Sequence, residues 1–427
     1  MRSSYTFPNK GTLTDDRLLA FTNEYRYSSI LISNNVKNDL YSSYETIVAV
    51  GATKILFSEK DSFKKLRKFH SEYKDWMFGF LSYELKNEID NLNSDNISNI
   101  NIPNLFFYIP ETVLLFSKDI ITVHSILSET EVKEMLNRIE RLELGDNLGS
   151  PVSLNFRESK NDYLKKINKI KDHIQSGDIY EMNYCQELYN DEANINPQRI
   201  FSNLNKKGRA PFSVFFKYQD IYLLCSSPER FLKKINNKII SQPIKGTRRR
   251  SQDSEEDIQL IDDLKKSDKE RSENIMITDL VRNDLSRTAK KSSVLVEELC
   301  KIYTFDQVHQ MISTVSSELD TKYDFIDLLE STFPMGSMTG APKIKSMELI
   351  EEYETTKRSL FSSSFGYITP ESDFDFNVVI RSIVYDKIQQ CVSVMIGSAI
   401  TINSDPLEEY EECMVKAKAM INALKYE

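Results

Sequence analysis

The chain reads as an α+β protein whose strands pair antiparallel. Three observations predict this. Short runs rich in β-branched and aromatic residues are joined by tight turns containing Asn, Gln or Asp, the pattern of hairpins. Amphipathic helical stretches with capping residues lie among them. Of 427 residues, 40% are apolar, which supplies ample core for large sheets.

Taken in order, segments 28–32, 46–50 and 76–83 read as buried strands, and 91–101, rich in Asn and Ser, as a surface loop. Segments 112–116 and 120–123 form a hairpin across Lys118 and Asp119. A helix over 128–144 has Ser128 or Thr130 as its cap and Val132, Met135, Leu136 and Ile139 as its stripe. The run from Gly145 to Pro151 marks a boundary, dividing an N-terminal region, 1–150, from a second region, 151–427. That region opens on a helix carrying Tyr163, Leu164, Ile167, Ile170 and Ile174, stopped at Gly177, and continues into a strand from Asp178. Phe212, Val214, Phe216 and Tyr218 alternate with period two and return across Gln219 and Asp220. Residues 254–290 are helical and heavily charged, and most of those charges read as a solvated face. In the helix following Pro342, Ile344, Met347, Leu349 and Ile350 form the stripe.

Chemistry concentrates between Ser226 and Arg250. A turn at Asn236-Asn237 makes facing positions sum to 473, which sets Glu229 opposite Ile244, one residue from Lys245. Pro228 and Pro243 mark where pairing stops. An acid and an amine therefore meet at the open end of a hairpin; a structural salt bridge is the competing reading. Glu270 and Glu273 share a helix face, and Glu409 and Glu412 repeat that spacing on a final helix. Two such pairs suit a hard divalent ion, Mg2+ above others. Gly336, Thr339 and Gly340 stand before a helix start where backbone amides can receive a carboxylate or phosphate. The run lacks the P-loop spacing, so a nucleotide-binding reading is weak.

Composition excludes several classes. A net charge of −9 argues against nucleic-acid binding, so Arg248-Arg-Arg reads as a solvated loop. Cys185, Cys225, Cys300, Cys391 and Cys413 lack C-x-x-C spacing and read as reduced thiols of a cytoplasmic protein. No signal-peptide core and no apolar run of about 18 residues is present, so no membrane role is expected. Of the four histidines only His309 lies near these candidates, and no Ser/His/Asp order stands out.

In motif order, residues 155–425 resemble the chorismate-utilising enzymes. The resemblance rests on Gly177-Asp-Ile-Tyr-Glu-Met-Asn, Ser227-Pro-Glu-Arg-Phe, Pro243-Ile-Lys-Gly-Thr and the run from Glu273 to Asp284, with Gly336-Ser-Met-Thr-Gly-Ala-Pro-Lys and the run from Ser404 to Glu412. It implies large antiparallel sheets flanked by helices, with the N-terminal region packed into the core. It also implies the substrate, chorismate, and the cofactor, Mg2+. Within the family, enzymes that release anthranilate carry Ala where this chain has Lys245, and isochorismate and salicylate synthases carry a Lys where it has Glu181. Lys245 without a lysine at 181 favours the branch that aminates chorismate at C4, on the route to para-aminobenzoate and folate.

By that resemblance, Lys245 adds at C2 while the C4 hydroxyl leaves, then ammonia attacks C4 and expels the lysine. Keeping a lysine neutral at pH 7 costs roughly 4.6 kcal/mol, so Glu229 is assigned as the acid/base. Glu273 and Glu412, with Glu270 and Glu409, would hold the metal. Gly246, Thr247 and Thr339 would bind the ring carboxylate, Lys416 would offset its charge, and Arg381, assisted by Tyr367, would grip the enolpyruvyl carboxylate. No cysteine stands in a nucleophile-elbow context, so a separate glutamine amidotransferase subunit is the expected ammonia source. The rival readings are an anthranilate-forming enzyme and a non-catalytic sensor of chorismate or tryptophan. Three positions depart from the family pattern: Gln310 where a His is common, Gly397-Ser398-Ala399 in the run read as preceding the last strand, and Glu181 where Gln is common.

Overall fold

Tight turns set the architecture. The computed structural model describes residues 2–36, 39–145 and 149–426. Asp146, Asn147 and Leu148, part of the expected boundary, lie outside the described residues. All ladders between its strands are antiparallel, and they build sheets of twelve and ten strands. The hairpins at 117–119, 219–220 and 236–237 fall where their turn residues place them; Gln219 and Asn236 take the positive φ the turns demand.

The N-terminal region extends both sheets. Strand Tyr27–Ile32 pairs with Phe212–Tyr218 in the larger one, and Met77–Leu81 pairs with Ser364–Ile368 in the smaller. Residues 1–150 and 151–427 therefore share their sheets. The sheets face each other across an aromatic layer that includes Phe78, Phe106, Phe216 and Phe365. Helices such as Lys160–Ser176 and Pro406–Leu424 cover the outer face of the larger sheet, their Ile167, Ile170, Ala417 and Met420 buried with Val394 and Ile396. Each isoleucine or methionine side chain so buried contributes roughly 1.5–3 kcal/mol.

Local sequence explains the helix limits. Ser128 and Glu131 form a capping box that starts Glu129–Ile139, and Gly177 at φ +84 ends Lys160–Ser176. The charged stretch after 254 is two helices, Ser254–Lys266 and Asp268–Ser286, because Ser267 leaves the helical conformation to cap the second. Ile344, in the first turn of Lys343–Tyr353, is exposed, while Met347, Leu349 and Ile350 carry the stripe.

Arg358 braces the floor of the candidate site. It is 2% exposed and bonds Glu354 at 2.6 Å, the Met338 carbonyl at 2.6 Å and the Asn183 carbonyl at 2.9 Å. Replacing it strands a buried carboxylate. Arg358→Ala is expected to destabilise the fold by about 3–5 kcal/mol, read as a lower urea midpoint; an unchanged midpoint would contradict this bracing role.

Candidate active site

Lys245 owes its position to a bulge. Strand Ile244–Arg249 pairs with Val308–Glu318, but the register slips by one residue between Ile244↔Ile312 and Thr247↔Gln310. Gly246 absorbs the slip at φ +89, and a Cβ there would lie 3.0 Å from Glu270 Oε2 and 3.1 Å from Leu264 Cδ1. Glycine is required by both the backbone angle and the space.

A second bulge alters the expected facing of Glu229. The 473 rule holds at Lys233↔Ile240, then shifts to Arg230↔Gln242, because the 230 strand carries one extra residue. Glu229 nonetheless reaches the neighbouring strand with its side chain: the Ile244 amide and the Ser337 hydroxyl hydrogen-bond to its carboxyl. Burial pushes this carboxyl up to about 7, and those bonds and the Lys245 charge only partly oppose it.

Lys245 is 9% exposed and Glu181 fully buried, with Nζ 2.7 Å from Glu181 Oε1. Burial acts to lower the lysine's pKa, but Glu181, then Glu273 and Glu229, more than offset it, so the amine titrates above its ordinary value. The resting site holds a cation here. Glu181 therefore faces Lys245 rather than the space left for an anionic substrate.

The paired glutamates project from helices Asp268–Ser286 and Pro406–Leu424. Glu273 is buried, and its Oε1 has no hydrogen-bond partner among the described residues. Burial raises its carboxyl to about 7; Lys245 opposes this, and Glu181 and Glu270 add to it. The other three have cationic partners: Glu270 meets Arg248 at 3.0 Å, Glu409 meets Lys269 at 3.2 Å, and Glu412 meets Lys416 at 2.7 Å. Burial acts to raise Glu412, yet Lys416, Lys269 and Lys245 hold its carboxyl below the usual range. Among the described residues no three His, Cys, Asp or Glu side chains stand together as a metal cage. The donors still suit a hard divalent ion, and the orphaned oxygen of buried Glu273 is the atom such an ion would satisfy.

Arg381 occupies the corner where the chain passes from strand Phe374–Asn377 of one sheet to Ser382–Asp386 of the other, at φ +52, not on a strand as its apolar neighbours imply. It is half-buried, and its guanidinium has no hydrogen bond or ion pair among the described residues. Burial lowers its pKa, partly offset by Glu412. A half-buried guanidinium without a protein partner can receive an anion.

Several expected residues stand elsewhere or are already engaged. Tyr367 does not join the site. It shares a strand face with Phe365, so its ring lies 5.8 Å from Trp76 and 6.0 Å from Phe78, in the aromatic layer. Thr339 is fully buried and ends the short 3-10 turn Gly336–Met338 rather than standing at an open helix start. Its amide and hydroxyl bond the Gly336 and Met335 carbonyls at 3.2 and 3.3 Å, which leaves no donor for a substrate. Thr247 is exposed beyond the bulge. Lys416 also bonds the Gly397 carbonyl at 3.0 Å, which ties the last helix to its neighbouring strand.

One departure from the family pattern, Gly397, and the histidine beside another, Gln310, prove structural. His309 is buried between Thr304 Oγ1 and Asp257 Oδ1, both at 2.9 Å, and clasps strand to helix. Gly397 lets two strands approach: a Cβ would lie 2.5 Å from Cys185 Sγ. Two contributors escape sequence reasoning. Lys269 pairs with Glu409 across 140 positions of chain, and Ser337 bonds Glu229 from inside the Gly-Ser-Met-Thr-Gly run; only their adjacency to a singled-out motif hints at either.

Known proteins bear on this cluster of lysine, arginine and glutamates. Residues 23–422 match the family described as chorismate binding enzyme. The chain belongs to the chorismate binding enzymes. This enzyme is 31% identical over 405 residues to aminodeoxychorismate synthase component 1 of Bacillus subtilis strain 168, an alignment covering 87% of this chain and 84% of the relative. It is 29% identical to anthranilate synthase component 1 of Aquifex aeolicus strain VF5, covering 86% and 78%. Among solved structures, anthranilate synthase component I from Streptococcus pneumoniae TIGR4 superposes with a TM-score of 0.78 at 25% identity, covering 90% of this chain and 93% of that one. Among the described residues no helix is long and apolar enough to cross a membrane.

Proposed function

We propose that the enzyme is component I of an aminodeoxychorismate synthase, converting chorismate and ammonia to 4-amino-4-deoxychorismate on the route to para-aminobenzoate and folate. The observation that carries the reading is Lys245, a buried amine between Glu181 and the acid Glu229, where an anthranilate-forming relative would have Ala. The names of similar proteins in Bacillus subtilis and Escherichia coli support it. The name component 1 implies a partner component for those relatives; here the partner would be a glutamine amidotransferase that supplies ammonia.

The residues divide the work as follows. Lys245 adds to C2 and makes the C4 hydroxyl a leaving group, replacing one difficult displacement with two easier ones. Glu229, held neutral by burial, donates the proton with which that hydroxyl departs. Arg381 receives a substrate carboxylate. Glu273, with Glu270, Glu409 and Glu412, would hold Mg2+, which would supply positive charge to the other substrate carboxylate and disfavour the cationic form of Lys245.

Incubation with chorismate, Mg2+ and ammonium, followed by mass analysis of products, tests the reading. 4-Amino-4-deoxychorismate is expected; anthranilate with pyruvate would make this an anthranilate synthase, and unchanged chorismate would exclude both. Arg381→Gln is expected to raise KM for chorismate by roughly 10²-fold, the loss of one charge-assisted pair worth about 1.5–3 kcal/mol. An unchanged KM would remove Arg381 from the substrate site.

A further inference from the structure

Four carboxylates act on the Lys245 amine, and the proposed chemistry employs three of them, Glu229 as acid and Glu273 and Glu412 as metal ligands. The fourth, Glu181, makes the direct contact, Nζ to Oε1 at 2.7 Å. Its other oxygen, Oε2, is buried and has no hydrogen-bond partner among the described residues. The backbone beneath it is clamped. Glu181 pairs with Ala341, its carbonyl accepts the Ser346 hydroxyl at 3.2 Å, and a Cβ on Gly340 would fall 2.2 Å from that carbonyl. Two residues on, Asn183 faces the same side and bonds the Ser337 carbonyl at 3.0 Å. The same Ser337 bonds Glu229 through its hydroxyl. Glu181 is thus built rigidly into the frame that also positions the acid, with one oxygen on the reacting nitrogen and one spare. A purely structural ion pair gives no reason for the spare oxygen to be buried and unsatisfied.

We infer that Glu181 is a catalytic residue, the local base that takes the proton from Lys245 before attack and returns it afterwards. The inference rests on the amination reading given above. The steps balance. The Nζ–H bond breaks, its proton goes to a Glu181 oxygen, and the nitrogen keeps the electron pair. That pair forms the bond to C2. The ring double bonds shift from C1=C2 and C5=C6 to C1=C6 and C4=C5, and the C4–O bond breaks. Its electrons leave on oxygen, which receives the Glu229 proton and departs as water. Ammonia then forms the C4–N bond, the double bonds shift back, and the C2–N bond breaks with its electrons returning to Nζ. Lys245 leaves as a neutral amine and recovers its proton from Glu181, while Glu229 takes one proton from the new ammonium. Both carboxyl groups end as they began.

Glutamine at 181 keeps the size and a hydrogen-bonding oxygen but cannot take the proton, so Glu181→Gln tests the inference. Glu229, Glu273 and Glu412 also act electrostatically on Lys245 and are unchanged in this variant. Wild type passes the lysine proton internally; the variant must lose it to solvent. At pH 6.5 we expect kcat to fall by about 10²–10⁴-fold with KM for chorismate within about threefold. The loss should shrink about tenfold for each pH unit above that. A loss equal at every pH, or no loss, would overturn the role as a base. A second measurement needs no chorismate: competitive acetylation with acetic anhydride reports the neutral fraction of Lys245. Removing the Glu181 charge should make Lys245 acetylate at least tenfold faster at pH 8, and equal rates would show that the ion pair is absent in solution. If wild type fails to aminate chorismate while acetylation responds, the amination reading fails and the ion pair stands. If amination proceeds and the Glu181→Gln pH profile matches wild type, the inference fails alone.

Discussion

Lys245→Ala is expected to lose amination of chorismate by about 10⁴-fold or more, as removal of a covalent nucleophile does elsewhere. The bulge at Gly246 aims one amine into a buried carboxylate cluster, and Lys343, held at 2.6 Å by Asp284, is committed elsewhere. The family resemblance implies alanine at this position in anthranilate-forming enzymes, so a low yield of anthranilate and pyruvate is expected in its place. The substitution also strands Glu181, so the fold needs its own control. Lys245→Arg retains a cation for Glu181 but not a nucleophile, because a guanidinium stays protonated at any working pH. Lys245→Arg should therefore be inactive with near wild-type stability. If either variant aminates chorismate at the wild-type rate, covalent lysine chemistry is wrong.

Glu229→Gln is expected to lower kcat by about 10²–10⁴-fold. Its carboxyl titrates at about 7 because it is buried, so the acid form prevails below pH 7 and falls tenfold for each unit above. The rate should accordingly fall on the alkaline side with an apparent pKa near 7. The same shift carries a stability cost. A carboxyl whose pKa is raised on folding resists ionisation, so stability is lost as pH rises from its ordinary 4.5 and the loss is complete above about 7. The cost reaches about 3 kcal/mol by linkage, so Glu229→Gln should recover part of it at pH 8 in urea unfolding. Glu273 titrates in the same range, so assignment of the limb requires both residues. Glu229→Asp should move the limb and Glu273→Gln should leave it in place; the reverse result would exchange their roles.

Local chemistry explains which features the sequence reveals. The hairpin turns at Gln219 and Asn236 are legible because few residues tolerate positive φ, and the capping boxes and Gly177 announce helix ends by the same logic. Bulges carry no such mark. The extra residue between Arg230 and Lys233 looks like any strand residue, so the facing of Glu229 with Ile244 was off by one while its side-chain neighbourhood was right. The acid and the amine are visible from hairpin geometry and both glutamate pairs from their shared helix faces, with Glu273 standing out because a carboxylate on an apolar stripe is costly. Partners distant in sequence are not. Glu181 and Lys245 are 64 positions apart, and nothing local shows that two sheets bring them to one point. Tyr367 failed for a different reason: motif position does not reveal which face of a strand points at the site, and its face belongs to the aromatic layer.

Amination by this route requires a covalent bond between Lys245 and chorismate. Mass analysis of the Lys245 peptide, after mixing enzyme with chorismate and Mg2+ in the absence of ammonia and quenching in acid, tests it most directly. An adduct on Lys245 of the mass of chorismate less one water is expected, lost again when ammonium is added before the quench. Turnover to 4-amino-4-deoxychorismate with an unmodified Lys245 peptide under every quench condition would contradict it.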